Sequence, residues 1–301
     1  MSLFTFPTGN CDLARTVVDG GIVQSRFWFG AAFVGTVLLA LSTVGSIQAA
    51  ESAVGLKPAT KDLRELTTDR PDATESPFTV DVGHVQLEMD LVAHSRDREG
   101  GDEIRATSVG VVNIRYGVSP RMELGVFVPS WTRQTERSGG GGWSARSGFG
   151  DLVARAKFNA WGNDGGPSAC GVIVDITLPT ADAGLGQDKA QGAVILPLSF
   201  DLGGGWGFGA MTGVEFRRDA GASGYRAVVI STATVSREIT EKLGAFVELT
   251  SEAGDGSHVA TCNTGLTFQV DSNLQLDGGV NVGISRFAAD AEVFVGLSQR
   301  F

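Results

Sequence analysis

Glu88 and Asp90 stand two positions apart in a run, Val85 to His94, whose intervening places are taken by Val85, Leu87, Met89, Leu91 and Ala93. Alternate side chains of an extended strand share a face. The acids, with Gln86 and His94, therefore project to one side and the aliphatic groups to the other. The same alternation sets Arg115, Glu123, Arg155, Lys157, Asp175, Glu215, Arg217, Glu248 and Asp277 opposite apolar neighbours. If the strands carrying them close into a ring, these eleven residues line a lumen, where rings of charge select solutes through local potential. Acids outnumber bases, which favours cations or neutral polar solutes. A competing reading is that opposite charges in a narrow barrel simply pair and fill it.

A second charged group precedes the first alternating run. TDRPDATESP, Thr68 to Pro77, sets Asp69, Arg70, Asp72 and Glu75 between two prolines, a composition unsuited to a strand. It could enter the mouth of a barrel as a plug or gate, with Arg70 pairing a lumen carboxylate, or hang outside as a periplasmic tail.

Catalytic chemistry finds little support. The three histidines are His84, His94 and His258, and none accompanies a recognisable serine or cysteine nucleophile motif. A hydrolase using His94 and a loop serine is a remote alternative, because triads are defined by geometry, and no catalytic residue is assigned. GWGFGA, Gly205 to Ala210, matches a dinucleotide-binding glycine pattern but runs into strand alternation where a helix is required. Cys170 and Cys262 sit on lipid-facing positions of strands without metal-ligand spacing, so neither metal nor cofactor is expected. The net charge of −10, with no basic cluster evident along the sequence, argues against nucleic acid.

About twelve alternating segments run from Val85 to the end. Leu152, Ala154, Ala156 and Phe158 oppose Asp151, Val153, Arg155, Lys157 and Asn159; Leu274, Leu276, Val280, Val282 and Ile284 oppose Gln275, Asp277 and Asn281. A soluble β-sandwich also alternates, so the connections decide. Long polar links (Ser95 to Ile104, Gln134 to Gly148, Thr180 to Gln191) interleave with tight ones (Gly117 to Pro120, Gly162 to Gly166, Leu202 to Gly205, Val270 to Asn273). Long outer loops and short periplasmic turns mark bacterial outer-membrane barrels. Tyr116, Phe158, Phe200, Trp206 and Phe268 fall on the apolar face beside the short turns, as an interfacial girdle would. The expected fold is an all-β, transmembrane, antiparallel up-and-down barrel of about 12 strands.

Ahead of it, Phe27 to Leu41 is an uninterrupted apolar run preceded by Arg15 and Arg26 and followed by small residues, the order of a secretory signal. The expected organisation is a signal peptide over 1–50, a periplasmic segment and candidate plug over 51–83, and the barrel over 84–301. In the last segment, VFVGLSQRF, Val293, Val295, Leu297 and Phe301 share a face, and that strand must pair with the first to leave no open edge.

Several stretches resemble the outer-membrane family named for the meta-pathway of phenol degradation, whose members are described as transporters. They are TDRPDATESP with GHVQLE (Gly83 to Glu88), SGFGDL (Ser147 to Leu152), LPT (Leu178 to Thr180), LQLDGGVNVG (Leu274 to Gly283) and the terminal VFVGLSQRF. Ala181, where members often carry Gly, and Gln299, where they often carry an aromatic, depart from the pattern. The resemblance implies an outer-membrane channel for passive uptake of small, aromatic or otherwise hydrophobic molecules. The implied partners are outer-membrane lipid, the solute, and the assembly machinery that reads the strand ending at Phe301. The rival readings are a sealed structural or assembly-related barrel and, more remotely, the hydrolase.

Overall fold

The computed structural model describes residues 63–129, 131–218, 224–254 and 256–301. The expected signal peptide over 1–50 lies outside them. Fourteen strands follow in chain order: β1 (Val85–Glu99), β2 (Asp102–Ser119), β3 (Met122–Val128), β4 (Trp131–Arg137), β5 (Ser144–Gly148), β6 (Leu152–Trp161), β7 (Ser168–Leu178), β8 (Gln191–Gly203), β9 (Trp206–Arg218), β10 (Tyr225–Glu238), β11 (Leu243–Gly254), β12 (Ser257–Asp271), β13 (Leu274–Gly283) and β14 (Ala291–Arg300). They form one antiparallel sheet in which β14 pairs with β1. Phe301 N–H donates to the Val85 carbonyl at 2.8 Å and completes the seam.

The fourteen strands make twelve wall positions. On β2, Val112 faces Val128 of β3 and Val109 faces Trp131 of β4 in one unbroken register, so β3 and β4 are a single strand interrupted at Pro129. Proline has no N–H to give the ladder. β6 and β5 likewise continue one another along that strand, with Met122 opposite Phe158 and Thr132 opposite Gly148. At this second interruption the Asp151 carboxylate accepts N–H bonds from Thr180, Ala181 and Gln187 of the β7–β8 loop, at 2.7–2.9 Å.

The alternation read from the sequence holds on most strands: Leu276, Val282 and Ile284 are exposed on the outer wall, while Gln275, Asp277 and Asn281 are buried inside. Phe158, Phe200, Trp206 and Phe268 are exposed, and Tyr116 is half-buried on the same outer face. An apolar exterior around a polar interior inverts the arrangement of a soluble sandwich and fits a wall facing lipid.

Two expectations need correction. The run from Val85 to His94 does not keep one parity, because the register against β14 slips by one between Asp90 and Val92. An extra residue in a strand turns every later side chain over. Gly110, the residue across the β1–β2 ladder from the bulged Leu91, has φ +69°, a conformation open to glycine at no steric cost. Above this bulge Ala93 lies opposite buried Phe294, and His94 lies on the outer wall opposite exposed Val293, bonded to the Thr107 hydroxyl at 2.9 Å. The second correction concerns loops. Ser95 to Ile104 is mostly ladder, closed by the glycine pair Gly100 and Gly101, and Gln134 to Gly148 is largely β4 and β5 with a link at 138–143. Their polar side chains continue the wall upward past the apolar belt. The Thr180 to Gln191 loop is as expected.

Candidate functional site: the barrel interior

The chain before β1 runs into the barrel and back. Its two ends are tied at the periplasmic rim, where the guanidinium of Arg64 donates to Asp81 at 2.7 Å and Arg300, the last residue of β14, donates to the Arg64 carbonyl and to Asp81. Asn163, in the β6–β7 turn, accepts the Thr79 N–H and donates to the Thr79 hydroxyl and the Pro120 carbonyl. Between these ties, Thr68 to Pro77 crosses the interior and meets opposite sides of the wall.

Arg70 is the centre of the crossing. Its guanidinium donates to both oxygens of Asp277 on β13, at 2.6 and 3.3 Å, and to Asp90 on β1. Gly296 of β14 makes room for it: a Cβ there would collide with the guanidinium. Asp69 receives Lys157 of β6 at 2.5 Å, and its backbone N–H donates to Glu88 at 3.1 Å. Glu75 accepts Arg155 at 2.7 Å, and Arg155 forks onto Asp175 at 2.7 and 2.8 Å. Thr74 and Ala73 donate their N–H groups to Glu248 of β11 at 2.7 and 3.0 Å, the Thr74 hydroxyl donates to it at 2.6 Å, and the Asn263 amide adds a fourth bond to that carboxylate. Under the segment, Arg115 of β2 bridges Glu88 at 2.5 Å and Glu123 of β3 at 2.8 Å with complete burial.

The segment's own carboxyls respond to this setting. For Asp69, burial would raise the pKa, but Arg115, Lys157 and Arg155 more than offset it and hold the group well below the carboxylate range. Asp72 has the opposite balance: burial, and then the charge of Glu248, push it up to about 7. Glu75 is also raised, by burial first, despite Arg155.

All eleven wall residues expected to line a lumen do face the interior. Glu88, Asp90, Arg115, Glu123, Arg155, Lys157, Asp175, Glu248 and Asp277 belong to the charged lattice that holds the segment or supports its partners. Glu215 and Arg217 sit apart from it, with Arg217 bridging Glu215 and Glu252 at 2.7 and 2.8 Å. Asp69, Arg70, Asp72 and Glu75 are all within the crossing segment.

Sequence reading missed an apolar patch on this interior. Ile173, Ile195, Met211 and Ile230, from β7 to β10, pack together facing inward and are buried, with Ala193 against them. The segment touches this patch too, since the Glu75 N–H points at the Met211 sulfur at 3.3 Å. The interior therefore combines a charged lattice, drawn mainly from β1, β2, β3, β6 and β13, with an apolar patch on β7 to β10, where Asp175, Glu215 and Arg217 also point inward. The segment touches both.

The family model described as "Putative MetA-pathway of phenol degradation" matches residues 68–301, starting at the first residue of the crossing segment. The chain belongs to that family. Among solved structures, the chain is similar to the COG4313 outer membrane channel from Pseudomonas putida F1, at 13% identity and TM-score 0.60, over 78% of this chain and 100% of that one. More distant likenesses are to the NanC porin, at 9% identity and TM-score 0.46 over 70% and 98% of the two chains, and the CymD monoaromatic hydrocarbon channel, at 9% and 0.43 over 72% and 87%. No curated protein sequence matches. Family and fold together make this an outer-membrane β-barrel, surrounded by lipid at its apolar belt.

Proposed function

We propose that the protein is a passive channel for small solutes, with aromatic or otherwise hydrophobic molecules as its cargo, and that Thr68 to Pro77 is a plug whose release opens it. The observation that carries this reading is the form of the crossing. A wall that needed only filling could do so with its own side chains. Here the interior is crossed by a separate segment, tied at both ends to the periplasmic rim and held between them by ion pairs, a geometry suited to withdrawal without unfolding the barrel.

The apolar patch supports the solute class. Ile173, Ile195, Met211 and Ile230, one from each of four neighbouring strands, offer an uncharged patch on the wall of a charged interior, suited to a ring or short alkyl group that gains by leaving water. Twelve strands enclose more than the side-chain-filled eight-stranded case and less than a wide porin, so the passage is narrow. Conversion of the solute has no part in this reading. Insertion is assigned to the assembly machinery recognising the strand that ends at Phe301.

The test is uptake of a small aromatic into liposomes carrying the full-length protein, beside a form lacking 68–77. Faster entry through the shortened form than through the full chain supports a plug on a hydrophobic path. Equal, background-level entry through both would favour the sealed structural barrel.

A further inference from the structure

The wall above the β1 bulge carries a second charged surface, on the outside. Val92, Val109 and Trp131 form the last apolar rung on β1, β2 and β4, because the register pairs Val92 with Val109 and Val109 with Trp131. The next outward rung is His94, Thr107 and Arg133; the one after is Arg96, Arg105 and Thr135; the last is Arg98, Glu103 and Arg137. Five arginines thus stack above the lipid belt with one carboxylate among them, on a chain whose net charge is −10.

Four of the five converge on that carboxylate. Arg96 and Arg105 reach Glu103 at 2.6 and 2.7 Å, and Arg98 and Arg137 at 3.4 Å. A single carboxylate balances one guanidinium, so the group keeps a surplus of three positive charges before Arg133 is counted. The arginine side chains remain 38–55% exposed while Glu103 beneath them is 5% exposed. The acid serves to gather the guanidiniums, whose outer N–H groups stay open. Trp143, from the 138–143 link, stacks on Arg105 and Arg137 at 4.7 and 5.1 Å and further fixes their planes.

We infer that this strip binds the phosphates of a phosphorylated glycolipid in the outer leaflet. Guanidinium forks suit phosphate oxygens in both shape and charge. Height distinguishes the type of lipid. With a rise of about 3.3 Å per residue and a strand tilt of about 40°, the six residues from Trp131 to Arg137 climb roughly 15 Å. A glycerophospholipid headgroup layer is only about 5–8 Å deep. The arginine rungs, from Arg133 to Arg137, lie about 5 to 15 Å above Trp131, so they reach about twice as high as that layer and fit anionic groups at more than one level, as on a sugar headgroup bearing several phosphates.

The test uses full-length protein in detergent, titrated with bisphosphorylated lipid A and read by native mass spectrometry. The strip predicts saturable binding that is at least tenfold weaker for the dephosphorylated glycolipid and at least tenfold weaker for Arg96→Gln/Arg105→Gln. Inorganic phosphate at millimolar concentration should not displace the lipid, which separates a headgroup site from a free-ion site. Because the double variant disturbs the Glu103 cluster, Arg133→Glu provides a second arm: it lies one rung lower, outside that cluster, and should also weaken binding severalfold while heat-modifiable gel migration is kept. Equal binding of phosphorylated and dephosphorylated lipid, or full binding by both variants, would overturn the inference.

Discussion

Replacing Arg70 by alanine should loosen the crossing segment more than any other single change. Arg70 is 5% exposed and bridges two carboxylates, Asp90 and Asp277, which flank Gly296 on the strands either side of β14 and without it would be left as neighbouring acids with no counter-charge between them. Removing one partner of a buried pair costs about 3–5 kcal/mol. Undocking lets water reach both acids, so most of that cost falls on the docked state alone. At about 1.4 kcal/mol per decade, the docking equilibrium should shift roughly 10²- to 10³-fold toward release. The remaining anchors, Asp69 to Lys157 and Glu75 to Arg155, set how much of that shift becomes visible. Two readings serve: channel openings in planar bilayers, and maleimide labelling of Ala73→Cys in a background with Cys11, Cys170 and Cys262 replaced. Arg70→Ala should raise opening frequency and labelling rate together. Unchanged labelling and conductance would refute the argument that this guanidinium holds the segment.

Other expectations follow from neighbouring groups. Gly296→Ala puts a methyl against both the Arg70 guanidinium and the Met89 carbonyl of β1, and protein that still shows heat-modifiable migration should open in bilayers as Arg70→Ala does with every charge intact; closed channels in such assembled protein would mean that Arg70 can relocate. Ile195→Asp places a charge in the apolar patch and should cut aromatic uptake at least tenfold through the form lacking 68–77 while small-ion conductance is kept; equal loss of both would indicate a general blockage. Asp72 gives the pH dependence. Its docked value, about 7, lies above its ordinary 3.8, so docking is fully supported below about pH 4 and loses that support as pH rises through 7. Channel opening should therefore increase between pH 4 and 7 and level off above, with Asp72→Asn flattening the rise; a wild-type opening rate independent of pH over that range would count against it.

Period-two alternation was readable wherever the two faces differ in polarity, as in LVARAKFN of β6 and LQLDGGVN of β13. The interior charges and the strand count followed from it. It failed where both faces are apolar: GVIVDIT and AVILPL contain Ile173 and Ile195, whose inward direction leaves no mark because lipid and solute-facing patch call for the same residues. The bulge at Leu91 was invisible for a related reason, since a run of aliphatics does not betray a one-residue slip, and this misplaced His94. Asn163 carried no signal at all, as an asparagine in a glycine-rich turn is ordinary. Charge in the expected loops misled as well: Ser95 to Ile104 looked like a loop because its strands rise past the membrane, where polar side chains suit both faces.

The central claim is that a removable segment separates a closed barrel from a conducting one. The most direct measurement is single-channel recording of the full chain beside the chain lacking Thr68 to Pro77, both first shown by heat-modifiable migration to be closed barrels. The account predicts rare, brief openings for the full chain and sustained small conductance for the shortened one. Indistinguishable traces from two properly assembled barrels would contradict it.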